Sequence, residues 1–600
     1  MVCSGSSSIS VKFESMVGTA PGSSAHGLPK LVLSDRVNLT RDASGRPPSL
    51  QSLLWFAMPA TDQAPCHEAS VHAAPPGGRE SGGGGADEAA RRWTLAAAVG
   101  GSSLAFIVGS VVNVALPALQ RGLGASVAEV QWVLNAYLLL LGSLLLVGGA
   151  VADRVGRRRT FLAGVVVFGA ASVGCGLAPT VGWLVAARAV QGLGAALLVP
   201  TSLALVSAVY PEGRERGEAI GTWAGFSALT TAFGPVLGGW LVDALSWRWV
   251  FFVVVPPALA TLAVAGWRVP DDEPAGAEGA VDGWGGALAA AGFGAAVWGL
   301  VAAGERGWAD PAVWGGLMGG AALLGAFVWW EGRAAAPLVP LGMFRSATFS
   351  GANAMTLLLY FALNAVLFFL PFNLIQVQGY SATAAGAAFL PFSLTIGLLS
   401  RRAGGLAERW GTRRMLVAGA LVAAAGLALL AVPGRGGGPF GGSYWTTFFP
   451  PMLVLGLGMT LAVAPLTAVV MSAVDDEHAG TASGVNNAAA RVAALLAVAV
   501  VGVVALGVFG GALDERLASA PPGAAEAVAP FRQDLTGASL PDGLDPAERT
   551  QLEAIVGGAF VVAFRWVAAI AAAAAALSAL VAGLTIPAAP PDDADGGRGG

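Results

Sequence analysis

Charge is what this sequence has least of. Only 12% of its 600 residues are Asp, Glu, Lys or Arg, against about 25% in a soluble globular domain. The hydrophobic share is 55% and the mean hydropathy is +0.67. An ordinary soluble surface is therefore excluded. Cysteine is nearly missing: Cys3, Cys66 and Cys175. Two of these lie in a polar head and one in an apolar run, which supports neither a disulfide framework nor a metal site. The histidines His26, His67, His72 and His478 are scattered, three of them in the head. No metal constellation or nucleophile–base pair stands out, so neither a metal nor an enzyme is expected. Lysine occurs only at Lys12 and Lys30. There is no Gly-rich phosphate loop with its lysine, so ATP does not drive the protein directly and no cofactor is expected. The period-2 alternation of β-barrel strands is also missing. The net charge of −4 gives no reason to expect a nucleic-acid partner.

What is present is a series of apolar runs of ~20 residues, each long enough to cross a hydrocarbon core of ~30 Å. The sequence predicts an all-α polytopic membrane protein of fourteen spans. They run about Trp93–Leu116, Trp132–Ala152, Phe161–Leu177, Trp183–Val206, Ala219–Val242 and Val250–Trp267, then Trp284–Ala303 and Val313–Trp330. The last six are about Gly351–Leu374, Ala384–Leu399, Met415–Val432, Thr446–Val470, Val485–Phe509 and Phe560–Ile586. Pro117 is expected to end the first span. The layout is six, two and six. Residues 91–267 form a first six-helix bundle, 268–344 a connector carrying two extra helices, and 345–586 a second bundle. Residues 1–90 and 587–600 read as disordered from their Ser, Gly, Pro and Ala content. Met58 is a plausible true start.

Arginine placement orients the chain. Loops holding Arg154, Arg157, Arg158 and Arg159, then Arg214 and Arg216, then Arg333 and Arg345, then Arg401, Arg402, Arg409, Arg413 and Arg414 all fall on one side. The positive-inside rule places that side, and both termini, in the cytoplasm of a bacterial cell.

One charged loop occurs twice. GGAVADRVGRRRT, Gly148–Thr160, joins two spans, and GGLAERWGTRRML returns near position 405 with Glu408 in the place of Asp153. Glycines let the chain turn there. A carboxylate beside guanidinium groups can pair with them or cap a helix N-terminus. Asp153, Arg154, Gly156, Arg157 and Arg158, with Glu408, Arg409, Arg413 and Arg414, are therefore candidates for a conformational latch. Duplicated halves that rock about a central site are the usual build of secondary transporters. Arg188 lies a short way into a span, where a charge is costly unless paired or facing water. Gln191 shares its face. Sparse polar groups on apolar walls would make a cavity; the candidates are Asn113, Asn135, Tyr137, Gln191, Asn353, Tyr360, Asn364 and Asn373. Asn486, Asn487 and Arg491 open the thirteenth span and read as a gate at the cytoplasmic side.

The repeated loop resembles the G-x-L-A-D-R-x-G-R-[RK] signature of the major facilitator superfamily, with Val151 at the Leu position. VVNVALP (Val111–Pro117), LVAARAVQGLGAALLVP (Leu184–Pro200), GTWAGFSALTTAFGPVLGG (Gly221–Gly239) and the segment His478–Val500 are similar to its fourteen-helix drug:proton antiporter branch. The resemblance implies the major facilitator fold and efflux of small lipophilic compounds by alternating access. Protons would be the coupling ion, the bilayer the main partner, and a monomer the acting form. It implies a role in proton coupling for Arg188. It makes Gly221, Gly225, Gly234, Pro235, Gly238 and Gly239 the antiporter-like face of the fifth span, with Thr230 where a glycine is usual. The branch often carries an acid in its first helix; Val108 stands there, so coupling would fall to Asp153, Arg188 or another group. A cavity without acids would favour neutral, lipophilic substrates. A solute facilitator or importer, or a membrane sensor that has lost transport, are the rival readings.

Overall fold

The computed structural model describes residues 83–210, 214–271, 281–433, 443–475, 479–518 and 545–588. The head, the tail and the middle of the first connector lie outside these ranges. Among the described residues every regular element is a helix, and fourteen helices are long and apolar enough to cross a membrane.

The first six crossings are α1 (Gly83–Leu123), α2 (Val127–Val155), α3 (Arg157–Gly176), α4 (Val181–Val209), α5 (Arg214–Ala244), and a broken pair, α6 (Trp249–Phe252) with α7 (Val255–Arg268). A hairpin follows, α8 (Gly283–Arg306) and α9 (Pro311–Glu331). The second set begins with α10 (Ala347–Phe372), which ends in a π turn over Asn373–Val377. It continues with α11 (Ala382–Ala387) and α12 (Leu390–Trp410), which make one crossing, then α13 (Thr412–Leu429), α14 (Tyr444–Thr447), α15 (Phe449–Ser472), α16 (Ala479–Leu517) and α17 (Pro546–Thr585).

Local chemistry sets the helix ends. Ser126 and Glu129 form a reciprocal capping box at the start of α2. Asp282, Asp310, Thr180 and Ser346 cap α8, α9, α4 and α10 through their side chains. Pro117 does not stop α1, which runs on to Leu123. The missing N–H frees the Asn113 carbonyl, which a long packed helix tolerates; Arg121 Nε donates to the Pro117 carbonyl, 3.3 Å away. Two expected boundaries move. α1 already starts at Gly83, inside the region read as disordered. α16 runs to Leu517 and α17 starts at Pro546, so helix occupies both ends of the stretch left between the last two expected spans.

Close packing depends on small residues. A Cβ on Gly194 would stand 2.6 Å from the Phe168 backbone nitrogen, and one on Gly192 2.5 Å from the Tyr137 carbonyl oxygen. These contacts clamp α4 against α3 and α2. The hairpin uses the same device. Gly292, Gly299 and Gly320 let α8 and α9 cross almost backbone to backbone. Its α8 side packs on α2 and α16. The α9 side presents Trp314, Met318, Val328 and Trp329 outward, as a lipid-facing helix does.

Candidate functional site

The two charged loops have the same backbone. Gly156 has φ +103° and Gly411 φ +85°, a conformation that only glycine adopts readily. Each closes the preceding helix through its N–H, to Ala152 and Ala407 respectively, both at 3.0 Å. Each then accepts from the residue four places on, Thr160 at 3.1 Å and Met415 at 3.2 Å. The spacing was legible because the turn is built identically twice. Successive crossings alternate in direction, so both elbows lie at one end of the molecule, here called the elbow end.

The side chains of the first elbow pair in two separate ways. Asp153 accepts from Arg157 Nη2 at 3.5 Å, one turn along. Arg157 also reaches the Ala204 carbonyl at 3.5 Å. Arg158 caps the end of α7, donating to the carbonyls of Ala265 at 3.1 Å and Gly266 at 2.6 Å, and pairs with Asp271. A guanidinium at a helix C-terminus meets carbonyls that have no helical donor. Arg154, Arg409 and Arg414 are exposed and Arg413 half-buried. The Glu408 side chain lies outside the described residues.

Between the two sets of six lies a cavity of about 1050 Å³. It opens at the elbow end, where Asp153, Arg157, Ser207, Asp282 and Thr481 line it, and its walls are mostly Leu, Val, Ala and Phe. Of the expected cavity residues, Asn113, Tyr137, Tyr360 and Asn364 line it, together with Asn487 and Arg491. Asn135, Gln191, Asn353 and Asn373 do not; all four are buried between helices. Asn353 donates to the Phe349 carbonyl and Asn373 accepts from Gln378. Asn135 has no partner for its amide nitrogen or oxygen. The cavity is not free of acids, since Asp153 and Asp282 stand at its mouth. Val108 is fully buried, and its neighbours Phe106, Gly109 and Ser110 face the cavity instead.

Arg188 lies at the wall, 1% exposed. Its Nε donates to the Val133 carbonyl at 2.9 Å and its Nη1 to Gln191 Oε1 at 2.6 Å. Gln191 passes the chain on to Ser172 Oγ at 2.7 Å. The guanidinium sits 4.2 Å from the centre of the Tyr137 ring. Dipoles and a ring face hold this cation. Such a cation–π contact is worth about 2 kcal/mol or more when desolvated.

The end opposite the elbows is shut, and α5 shuts it. Gly234 and Gly238 let α5 lie against Ser110 and Val111 of α1. Gly239 and Pro235 meet α11 of the other set, where Gly386 and the Ala382 carbonyl lie against them. Gly221 and Gly225 have open space around them, and the Thr230 hydroxyl donates to its own helix. Only the second half of the glycine face is a seal. Asp243, which sequence reasoning missed, completes it. Its carboxylate accepts from the Ala382 N–H at 3.1 Å, the Thr383 N–H at 2.7 Å and the Thr383 hydroxyl at 2.6 Å. A lone aspartate after an apolar run carries no signal of a partner 140 residues away.

Two six-helix sets, sealed at one end and parted by a cavity open at the other, define a secondary transporter caught in one of its access states. The chain belongs to the Major Facilitator Superfamily, whose family profile matches residues 98–498. It is 38% identical over 406 residues to a puromycin resistance protein of Streptomyces alboniger, covering 67% of this chain and 80% of that one. It is 33% identical over 498 residues to the tetracenomycin C resistance and export protein of Streptomyces glaucescens, covering 82% and 91%. Among solved structures, a bacterial homologue of the human lysosomal transporter Spinster, inward-facing and unoccupied, superposes with a TM-score of 0.58 at 18% identity, over 82% of this chain and 97% of that one. A D-xylose–proton symporter follows at 0.52 and 15%, over 83% and 98%. These likenesses bear on the fold.

Proposed function

We propose that this transporter exports small lipophilic compounds from the bacterial cytoplasm across the inner membrane by proton-coupled antiport. The elbow end faces the cytoplasm in this reading, as the arginine loops require. The cavity carries the argument. It is large enough for a drug-sized molecule, mostly apolar, and continuous with the elbow end. Relatives named for puromycin resistance and for tetracenomycin C resistance and export support the direction of transport. Arg188 and Arg491 put positive charge deep in the hollow, which favours neutral or weakly acidic cargo over multivalent cations. Arg188 is the coupling residue of this reading, and the elbows with Asp153 and Glu408 are its latch. The acting unit is a monomer with both termini in the cytoplasm. Residues 91–267 and 345–586 are the two rocking bundles, and 268–344 is an inserted hairpin.

The test is accumulation of a neutral lipophilic dye, a dicationic dye and puromycin in a strain stripped of its own pumps. Expression should lower uptake of the neutral compounds, and a protonophore should abolish the effect. Unchanged accumulation, or export indifferent to the protonophore, would overturn the reading.

A further inference from the structure

The two extra helices carry a pair of acids for which no cation stands by among the described residues. Asp282 caps α8, its Oδ1 accepting from the Gly285 N–H at 2.8 Å and from Trp330 Nε1 at 2.8 Å. Glu331 ends α9, its Oε2 accepting from the Val339 N–H at 2.9 Å. Asp282 is 9% exposed and Glu331 3%. The other oxygen of each, Asp282 Oδ2 and Glu331 Oε1, is buried without a hydrogen-bond donor. Both stand 2.5 Å from one point, the Cβ position built on Gly285, so they lie no more than about 5 Å apart. Neither oxygen has another group to meet, and a hydrogen bond between them needs a proton that two carboxylates do not have. Two buried like charges at this separation cannot both ionise. One proton between them satisfies both oxygens at once.

The surrounding charges do not replace that proton. On α2, Asp153 is paired with Arg157 and Arg154 is exposed. After α9, Arg333 lies 4.4 Å over the Trp329 ring and Arg345 is exposed. On α16, Arg491 faces the cavity, beside Gly142 of α2. The remaining charges of the hairpin, Glu305, Arg306 and Asp310, sit at its far end. Asp282 itself lines the cavity mouth, which gives the site a path to water on the elbow side.

We propose that Asp282 and Glu331 bind one exchangeable proton at the mouth of the cavity, and that this pair serves as the proton site of the transporter in place of a first-helix acid. The role in coupling rests on the antiport reading above; the proton itself does not. Protonated, the pair ties the start of α8 to the end of α9 and to the turn at Val339. Deprotonated, it drives them apart, beside α2 and α16, which come one from each set of six and both line the cavity. A hairpin inserted between the halves thereby reports the proton to both.

The test uses the full chain in liposomes. A pH-difference infrared spectrum should show the C=O stretch of a protonated carboxyl that titrates in the wild type and is lost in Glu331→Gln. Asp282→Asn keeps the acceptor oxygen of the helix cap, so it should melt like the wild type and yet lose the band. Uptake of Nile red driven by an imposed pH gradient should fall at least tenfold in both variants, while counterflow of the dye without a gradient stays within twofold in Glu331→Gln. A wild type with no such band, or a band that persists in both variants, would overturn the proton site. A lost band with undiminished gradient-driven uptake would overturn its part in coupling. A wild type whose dye transport ignores the gradient would instead sink antiport itself.

Discussion

Removing the Asp243 carboxylate should unlock the sealed end. Asp243→Ala deletes three hydrogen bonds that cross from α5 to the start of α11 and the residues beside it. Bonds to a charged acceptor are worth about 1.5–3 kcal/mol each when buried. Asp243 is exposed and Thr383 half-buried, so water replaces much of that, as for surface ion pairs at about 0–1 kcal/mol. A total near 1–2 kcal/mol follows. That shifts a two-state equilibrium by roughly 5–30-fold. The bonds exist only while this end is closed, so the shift favours the other access state. A single cysteine at Asn113, a cavity-lining position, reports it in a chain lacking the three native cysteines. Its alkylation by a membrane-impermeant maleimide added outside the cell should accelerate 5–30-fold in Asp243→Ala and less in Thr383→Ala. Equal rates in wild type and Asp243→Ala, at equal membrane expression, would refute the seal.

Other consequences follow from the same geometry. Arg188→Ala should leave the protein in the membrane and abolish export; Arg188→Lys should fail nearly as badly, because an ammonium does not fork to Val133 and Gln191 while lying on Tyr137. Export at half the wild-type rate in either variant would argue against a coupling role. Gly386→Ala places a methyl against the Pro235 carbonyl, so it should hold the sealed end open and raise the same outside labelling. Gly156→Ala forces φ +103° on a Cβ-bearing residue, which costs roughly 1–2 kcal/mol; a lower melting temperature should result, and no change would contradict the elbow. Tyr444, outside the spans, donates to the Ala388 carbonyl at 3.3 Å, and burial, then Tyr380 nearby, pushes its phenol up to about 12. The folded state then holds this proton more tightly than the unfolded chain, so its contribution is intact below pH ~10 and is lost as pH rises through 12. A Tyr444→Phe variant should melt with a shallower alkaline slope.

Much of the fold is written in the sequence, because a helix in lipid must satisfy its backbone alone and so announces itself by length and hydropathy. The elbows were legible for another reason. Gly156 and Gly411 need a backbone only glycine tolerates, and the arginines mark the same face twice. The antiporter-like glycines were half legible. Composition cannot tell Gly221, in open space, from Gly239, pressed on α11. Helical periodicity put Asn353 on one face with Tyr360 and Asn364, and the periodicity is right. The cavity, however, does not extend along the whole face. Near its start α10 is covered by α17, where Gly351 meets Thr585. Asp243, Asp282 and Glu331 left no trace: Asp243 meets α11 139 and 140 residues on, Asp282 and Glu331 meet across the whole hairpin, and neither meeting forms a motif.

The central claim is that the two sets of six rock about the hollow while α5 and α11 part and meet. Cysteines at Asp243 and Thr383, whose side chains meet across the seal at 2.6 Å, in a chain lacking the native three, test it most directly. Oxidation should join them and stop Nile red export in intact cells, and reduction should restore it. Export that continues at full rate with the crosslink formed would contradict alternating access through this seal.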